Sequence, residues 1–439
     1  MGRTDLELLS KPELIELVLR LQQPAKTSRT SSKPPSTDRK ARRDKSRPGG
    51  AKPGHEGHSR RQSEGFDRVV DHYPGQCPGC RAALSAGLAA GLATETVSEH
   101  DKIDLPVIAP VVERHRRLAV TCPSCGLRVV ADLPAAAKGT PFGPRLHAVA
   151  TYLKTFQALS YERLEGAFAE LFGVQISQGG LMNMLRRAQG RFEDGRVAAV
   201  TSLRRAKVVG SDETGVRIEG SNAYHWVFRC DEAVVHHAAP TRGAVVVRDM
   251  MAGHRPDVWC SDRYAAQQGH AEAHQTCLAH LARDVAYAIE AGEDVLPMRL
   301  KLWLHKAFGL AHDIQTLAAS TIAAKRRALE RTLQDILDSP TSCELARVVQ
   351  NKFRRAKDQL LTFALWPGQV EPTNNACERD LRPAVIQRKV TNGYRAMWAA
   401  QGEADIRTVI DTARLKPRRD KQDKTGANRF QTILAVVST

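Results

Sequence analysis

Between Pro24 and Phe66 the chain reads KTSRTSSKPPSTDRKARRDKSRPGGAKPGHEGHSRR, a run dominated by Ser, Pro, Gly and basic residues. Nothing in it can form a core, because it carries almost no apolar side chain to bury against the entropy of ordering it. Whatever folds before it and whatever folds after it must do so separately. Residues 24–66 are therefore expected to be a disordered, cationic tether, either a solvated linker or one that also touches phosphates.

With 439 residues the chain is long enough for about two to four domains. Its 65 Lys and Arg outnumber 48 Asp and Glu, for a formal charge of +17. A polyanion is the default partner for such a surface, nucleic acid first among them, with a generally basic soluble protein as the plain alternative. No apolar run approaches the roughly 20 residues that span a bilayer, so no membrane is expected. The N-terminal LELLSKPELIELVLRL carries acids and lacks a small-residue cleavage site, so it does not read as a signal peptide. Nine cysteines, an odd number, argue against a secreted disulfide framework and for a reducing cytoplasm.

In residues 1–23, Ser10-Lys11-Pro12-Glu13 forms a capping box, and Leu14, Leu17, Val18 and Leu21 share one helix face. So short a helix needs a partner, either a second copy or the rest of its own chain. Residues 136–204 read as helices: RLHAVATYLKTFQAL, SYERLEGAFAELFG ending at Gly173, and ISQGGLMNMLRRAQGRF capped by Ser177. The last two, joined by GVQIS and ending in Arg186, Arg187 and Arg191, suggest a helix-turn-helix that meets DNA, or a plain helical bundle. After Arg205 the period changes. KVVGSD, GVRIEG, YHWVFRCD and AVVHHAAP read as strands separated by turns, GAVVVRDMM as a helix, and PDVWCSD as a further buried strand. Such a layer is what an RNase H-like α/β domain would present. A helical stretch from about Ala271 to Leu365 interrupts it, so the domain of residues 205–415 is expected to hold a helical insertion at about 281–366, before a basic tail, 416–439.

Residues 67–135 hold two Cys-x-x-Cys pairs, Cys77 and Cys80 in CPGC and Cys122 and Cys125 in CPSCG. Two such knuckles can place four thiolates around one structural Zn²⁺, and the strand-like KIDLPVIAPVVERHRRLAV between them fits a zinc ribbon. Four thiolates leave no open position for chemistry. Cys277-Leu-Ala-His280 has helical spacing but no evident further ligands, and reads as a half-buried helix face.

KVVGSDETG and DVWCSDRY place Asp212 and Asp262 in matched contexts, each at the end of an apolar strand after a small residue and Ser. Glu378, in EPTNNACERDLRP, would lie on a downstream helix that starts at Pro372 and Thr373. Three carboxylates are the ligand type for Mg²⁺ or Mn²⁺, and phosphodiester chemistry uses such a cluster. Glu213, Glu371 and Asp380 compete for individual roles, and an ion pair from Glu378 to Arg382 is the plain alternative for that acid.

CPGC, CPSCG, SDET, SDRY, CLAHLARD and EPTNNACERDLRP together resemble the transposase of the IS66 family of bacterial insertion sequences, from the cationic linker to about residue 415. Two departures are Leu278, where Trp is common, and the sequence after Arg414. The resemblance implies a DDE-type catalytic domain with Asp212, Asp262 and Glu378 as its triad, holding Mg²⁺ or Mn²⁺. It implies DNA as substrate, a nucleoid-associated protein, and room for small accessory proteins. The expected fold is thus multidomain α+β: N-terminal helix, zinc ribbon, helical DNA-binding region, and RNase H-like α/β catalytic domain with a helical insertion.

Asn375, Glu378, Arg379 and Arg382 fall near one helix face, and Arg388, Lys389 and Arg395 continue a basic surface; with Arg186 and Arg187 these are the candidate DNA contacts. The expected activity is cleavage of element ends and strand transfer, by a homo-oligomer assembled on double-stranded DNA. A catalytically silent DNA-binding repressor and an RNase H-like nuclease are the rival readings.

Overall fold

The structure is a computed structural model and describes residues 62–84, 95–134, 137–292, 294–415 and 428–438, with Ser10, Lys11, Leu14, Val18 and short pieces between 24 and 60. Most of the expected leucine-rich helix (1–23), most of the tether (24–66) and the first part of the tail (416–427) lie outside these residues. Contacts gather Lys40–Ala109 into one compact unit and Met1–Arg39 with Pro110–Thr439 into another. Each is described by itself.

In the smaller unit, the Cys77 N–H donates to the Ala82 carbonyl (2.9 Å) and the Arg81 N–H to the Cys77 carbonyl (2.8 Å). The larger unit builds the same turn at its own cysteine pair. There Cys122 N–H donates to Leu127 O (2.8 Å) and Gly126 N–H to Cys122 O (2.9 Å). The residue after the second cysteine is left-handed in both turns, at φ +60° in Arg81 and +72° in Gly126. The second turn closes a small hairpin of β1 (Ala119–Thr121) and β2 (Arg128–Val130). The expected strand over 102–118 does not form: that stretch joins no ladder among the described residues, and Pro106 and Pro110 have no N–H to offer one.

The helical region begins with α1 (Pro144–Thr155), α2 (Tyr161–Phe172), α3 (Gln178–Gly190) and α4 (Glu193–Leu203). Ser160 and Ser177 accept from Arg163 and Gly180 N–H groups (3.2 Å each), which caps α2 and α3. Gly173 ends α2 at φ +64°, where a side chain would be strained. Arg186 and Arg187 are exposed on α3; Arg186 lies over the Trp398 ring and Arg187 donates to Thr140 (3.3 Å).

Five strands form a mixed sheet: β3 (Val208–Ile218), β4 (Ser221–Arg229), β5 (Val234–Ala239), β6 (Val258–Ser261) and β7 (Ala273–Thr276), in the order β5-β4-β3-β6-β7. The first three are antiparallel neighbours, while β6 and β7 run parallel to β3. Glu219 (φ +54°) and Gly220 (φ +75°) turn β3 into β4 as a two-residue loop. Helix α5 (Ala244–Met251) crosses from β5 to β6. Alternation along the strands separates two cores. Val209, Trp226, Phe228 and Trp259 pack with Leu203 and Val247 on the α4 and α5 side. Val227 and Val234 pack with Cys377 and Leu381 on the other.

Two expectations change here. KVVGSD and GVRIEG are one strand, so Asp212 sits mid-strand rather than before a turn. The segment after Ala271 is not yet helical, because Ala273–Thr276 is the fifth strand.

The insertion holds α6 (Leu278–Ala291), α7 (Leu296–Asp313), α8 (Ala319–Asp338) and α9 (Glu344–Ala356) around a core of Val285, Leu300, Trp303, Leu333 and Phe353. Helices α10 (Asn375–Thr391), α11 (Met397–Ala413) and α12 (Arg429–Ser438) follow. In the expected basic tail, α12 instead buries Ile433 and Val437 against Ala148, Phe192, Ile406 and Ile410. Beyond Gly210, β3 outruns β6, and its outer edge meets other groups. Arg388 donates to the Gly215 carbonyl, Tyr394 N–H donates to Arg217 O (2.8 Å), and Glu219 N–H donates to Tyr394 O (3.0 Å). No helix among the described residues is long and apolar enough to cross a membrane.

Candidate active site

The β3–β6 register pairs Val208 with Val258, Val209 with Trp259 and Gly210 with Cys260. Two residues beyond that last pair are Asp212, still within β3, and Asp262, in the segment that follows β6. Period-two alternation along β3 puts Asp212 on the face that α10 covers, with Gly210. Glu378 lies in the first turn of α10. The helix is seated by Asn374, whose side-chain amide donates to Ser211 O (2.8 Å) and whose backbone N–H donates to Cys277 Sγ (3.2 Å). A Cβ at Gly210 would lie 3.0 Å from Cys377 Sγ and 3.3 Å from Asn374 Oδ1, so glycine lets α10 approach this closely.

The competing acids are accounted for differently. The Glu213 side chain is 2% exposed, accepting from Arg242 Nε and Gln267 Nε2 (2.6 Å each). Gln267 also accepts from Ser211 and from Trp259 Nε1 (3.2 Å). Asp380 is paired with Arg229 (2.6 Å), and Glu371 is exposed. Asp212 accepts from the Glu213 N–H (2.9 Å), and Asp262 from the Tyr264 N–H (2.8 Å). Burial holds the Asp212 carboxyl well above the usual range, and the negative charges of Glu213, Asp262 and Glu378 push the same way. Such a crowd of carboxylates fits a divalent cation, whose charge would relieve that repulsion.

Glu378 Oε1 accepts from Arg283 Nη2 (3.2 Å) and lies 3.6 Å from His280 Nε2. Its ion pair is thus with the insertion helix α6 and not with Arg382, which is exposed. Cys277, His280 and Glu378 bring one ligand atom each within 4.8 Å of one another; among the described residues no group containing Asp212 and Asp262 closes to that distance. The fold brings a third candidate ligand to the Cys-x-x-His helix face from 98 positions downstream of His280.

Beside Asp262 opens a cleft of about 310 Å³ lined by Arg242, Asp262, Arg263, Tyr264, His280, Arg283 and Asp284. Arg242 stacks over the Tyr264 ring (3.8 Å to its centroid). Arg263 and Lys352 each reach Asp284 at 2.7 Å. The cleft thus gathers three guanidinium groups and two carboxylates, each guanidinium paired with an acid: Arg242 with Glu213, Arg263 with Asp284 and Arg283 with Glu378. The sequence reading passed over Arg242, Arg263 and Arg283, although SDRY and CLAHLARD contain the last two.

Asn375, Arg379, Arg382 and Lys389 are exposed along α10 at spacings of four, three and seven, one stripe of the helix, and Arg395 is exposed beyond it. Arg388 is turned the other way, donating to Thr214 Oγ1 (2.8 Å) as well as to Gly215.

The family model described as "Transposase IS66 family" matches residues 139–402, more than half of the chain. No curated protein matches it.

Proposed function

Because the chain belongs to the IS66 transposase family, we propose that it cuts and joins DNA at a divalent-cation site made by Asp212, Asp262 and Glu378. The observation that supports this reading is the parallel pairing of β3 with β6, from which Asp212 and Asp262 follow two residues after the last pair, with Glu378 in the first turn of the helix seated on β3. Three antiparallel strands followed by two parallel ones, with a helical insertion before the last acid, also support an RNase H-like domain of the DDE type.

Asp212 and Asp262 would offer oxygens from the sheet and Glu378 from α10. Mg²⁺ or Mn²⁺ bound there would supply Lewis-acid activation of an attacking oxygen and stabilisation of a leaving one. Arg242, Arg263 and Arg283 would hold the phosphodiester. Hydrolysis at an element end breaks a P–O3′ bond and frees a 3′-hydroxyl; that hydroxyl then displaces the O3′ of a target phosphodiester. No side chain becomes bonded to DNA, so no Ser or Tyr nucleophile is needed. Exposed Asn375, Arg379, Arg382, Lys389 and Arg395, with Arg186 and Arg187 of α3, would contact the DNA backbone. Handling two ends together calls for a homo-oligomer on DNA. Zinc at the Cys-x-x-Cys turns belongs to the same reading: each turn, taken alone, offers two thiols from one tight loop.

The test follows cleavage and joining of a labelled duplex carrying the element's own end. Wild type and Glu378→Gln are compared with Mg²⁺ and with EDTA. Metal-dependent products that vanish in Glu378→Gln, with DNA binding retained, are expected. Equal activity of the two proteins removes Glu378 from the site. Tight binding without products from either favours the silent DNA-binding repressor.

A further inference from the structure

Cys277 occupies the cap position of α6 and is 1% exposed. Its sulfur accepts from the Asn374 backbone N–H (3.2 Å). One turn later His280 is largely covered, at 19% side-chain exposure, and its Nδ1 is buried without a hydrogen-bond partner. Glu378 faces the same point from α10, with Oε1 3.6 Å from His280 Nε2. Cys277 and His280 have no part in the carboxylate chemistry proposed above, which uses hard oxygen donors, and share only Glu378 with it.

We propose that Cys277, His280 and Glu378 form a second cation site, selective for Zn²⁺ over Mg²⁺. A thiolate, an imidazole and a carboxylate are a zinc donor set, whereas Mg²⁺ rejects sulfur. Around a tetrahedral Zn²⁺, with bonds of about 2.0–2.3 Å, donor atoms sit roughly 3.3–3.6 Å apart. The observed spread of up to 4.8 Å closes to that by small side-chain rotations. Three protein ligands leave the fourth position to water. Arg283, 3.2 Å from Glu378 Oε1, is a cation already paired with the carboxylate, and it must release that oxygen or remain as an outer partner. One consequence rests on the function proposed above: zinc here withdraws Glu378 from Asp212 and Asp262, so Zn²⁺ opposes Mg²⁺ in strand cleavage. Binding itself is independent of that function.

The test uses Co²⁺ as a spectroscopic stand-in for Zn²⁺, without DNA, on the full-length chain carrying Cys77→Ser, Cys80→Ser, Cys122→Ser and Cys125→Ser. One equivalent of Co²⁺ is expected to give a thiolate charge-transfer band and tetrahedral visible bands, removed by Zn²⁺ but not by excess Mg²⁺. Cys277→Ser in that background should abolish the charge-transfer band. His280→Ala and Glu378→Gln should weaken Co²⁺ binding by at least about tenfold, and they keep the test valid should Cys277→Ser misfold. Absence of the band, its survival in Cys277→Ser, unchanged affinity in the other two variants, or displacement by Mg²⁺ overturns the site. A chain that binds Co²⁺ this way yet cleaves no DNA under any condition leaves the zinc site standing and removes only the transposase reading.

Discussion

The two halves of the candidate site are held by different physics. Asp212 is set by its place in β3, where a one-residue slip would send every neighbouring side chain to the opposite face, and Asp262 by the turn after β6, where it accepts from the Tyr264 N–H. Glu378 is set by a helix that rests on the sheet through Asn374 and Gly210, and its carboxylate bonds to the insertion helix instead of the aspartates. The strand fixes Asp212, while Glu378 has the insertion helix as its partner here and, in the proposed function, the aspartates as another. Whatever commits Glu378 to one of them controls whether the site is complete.

Four substitutions probe this contrast. Helix α10 is tied to α11 by buried Arg407, which donates to Gln387 Oε1 (2.6 Å), Glu403 Oε1 (2.8 Å) and Thr155 O (2.6 Å). Arg407→Met leaves the Glu403 carboxylate buried without its cation, and urea melts should show a loss of about 3–5 kcal/mol. Adding Glu403→Gln should recover part of that loss; an additive double variant would mean the pair is not coupled. A smaller wedge is Gly210→Ala, whose methyl meets Cys377 Sγ at 3.0 Å and Asn374 Oδ1 at 3.3 Å. It should cost about 1–3 kcal/mol and depress cleavage by moving α10, and an unaltered protein would show that the helix rests elsewhere.

The smallest effect has the opposite sign. Burial, then Glu213, Asp262 and Glu378, raise the Asp212 pKa above its ordinary 3.8. The folded chain therefore keeps a proton that the unfolded chain releases, and stability falls as pH rises above about 4. Asp212→Asn removes that penalty and should be inactive yet more stable by about 1–2 kcal/mol near neutral pH in EDTA, with a flatter pH profile. A less stable Asp212→Asn would show that the carboxylates do not repel one another as described.

What the sequence disclosed was local. Ser160, Ser177 and Gly173 mark helix ends through their own backbone chemistry, and the repeated Ser-Asp after an apolar strand revealed two matched acids. Strand β7 escaped because AHQT has no apolar alternation. Its polar side chains are buried on partners far along the chain: Thr276 on Gln359 (2.7 Å) and Gln275 on the Phe363 N–H (2.8 Å). The Glu378–Arg283 bond escaped for the same reason, spanning 95 positions. Helix α12 was hidden by the basic run ahead of RFQTILAVV, although that segment carries its own apolar face.

The overhang of β3 beyond β6 has a consequence for incomplete copies of this protein. An unpaired strand edge is a template for a strand from another molecule. Here α10 and the residues after it shield that edge, through Arg388 on Gly215 and Tyr394 on Arg217. A chain cut short before residue 375 would lose more than Glu378: it would bare the edge of β3 and tend to aggregate. An inactive relative that persists as a soluble DNA-binding protein is therefore expected to retain α10, even where its acid has been replaced.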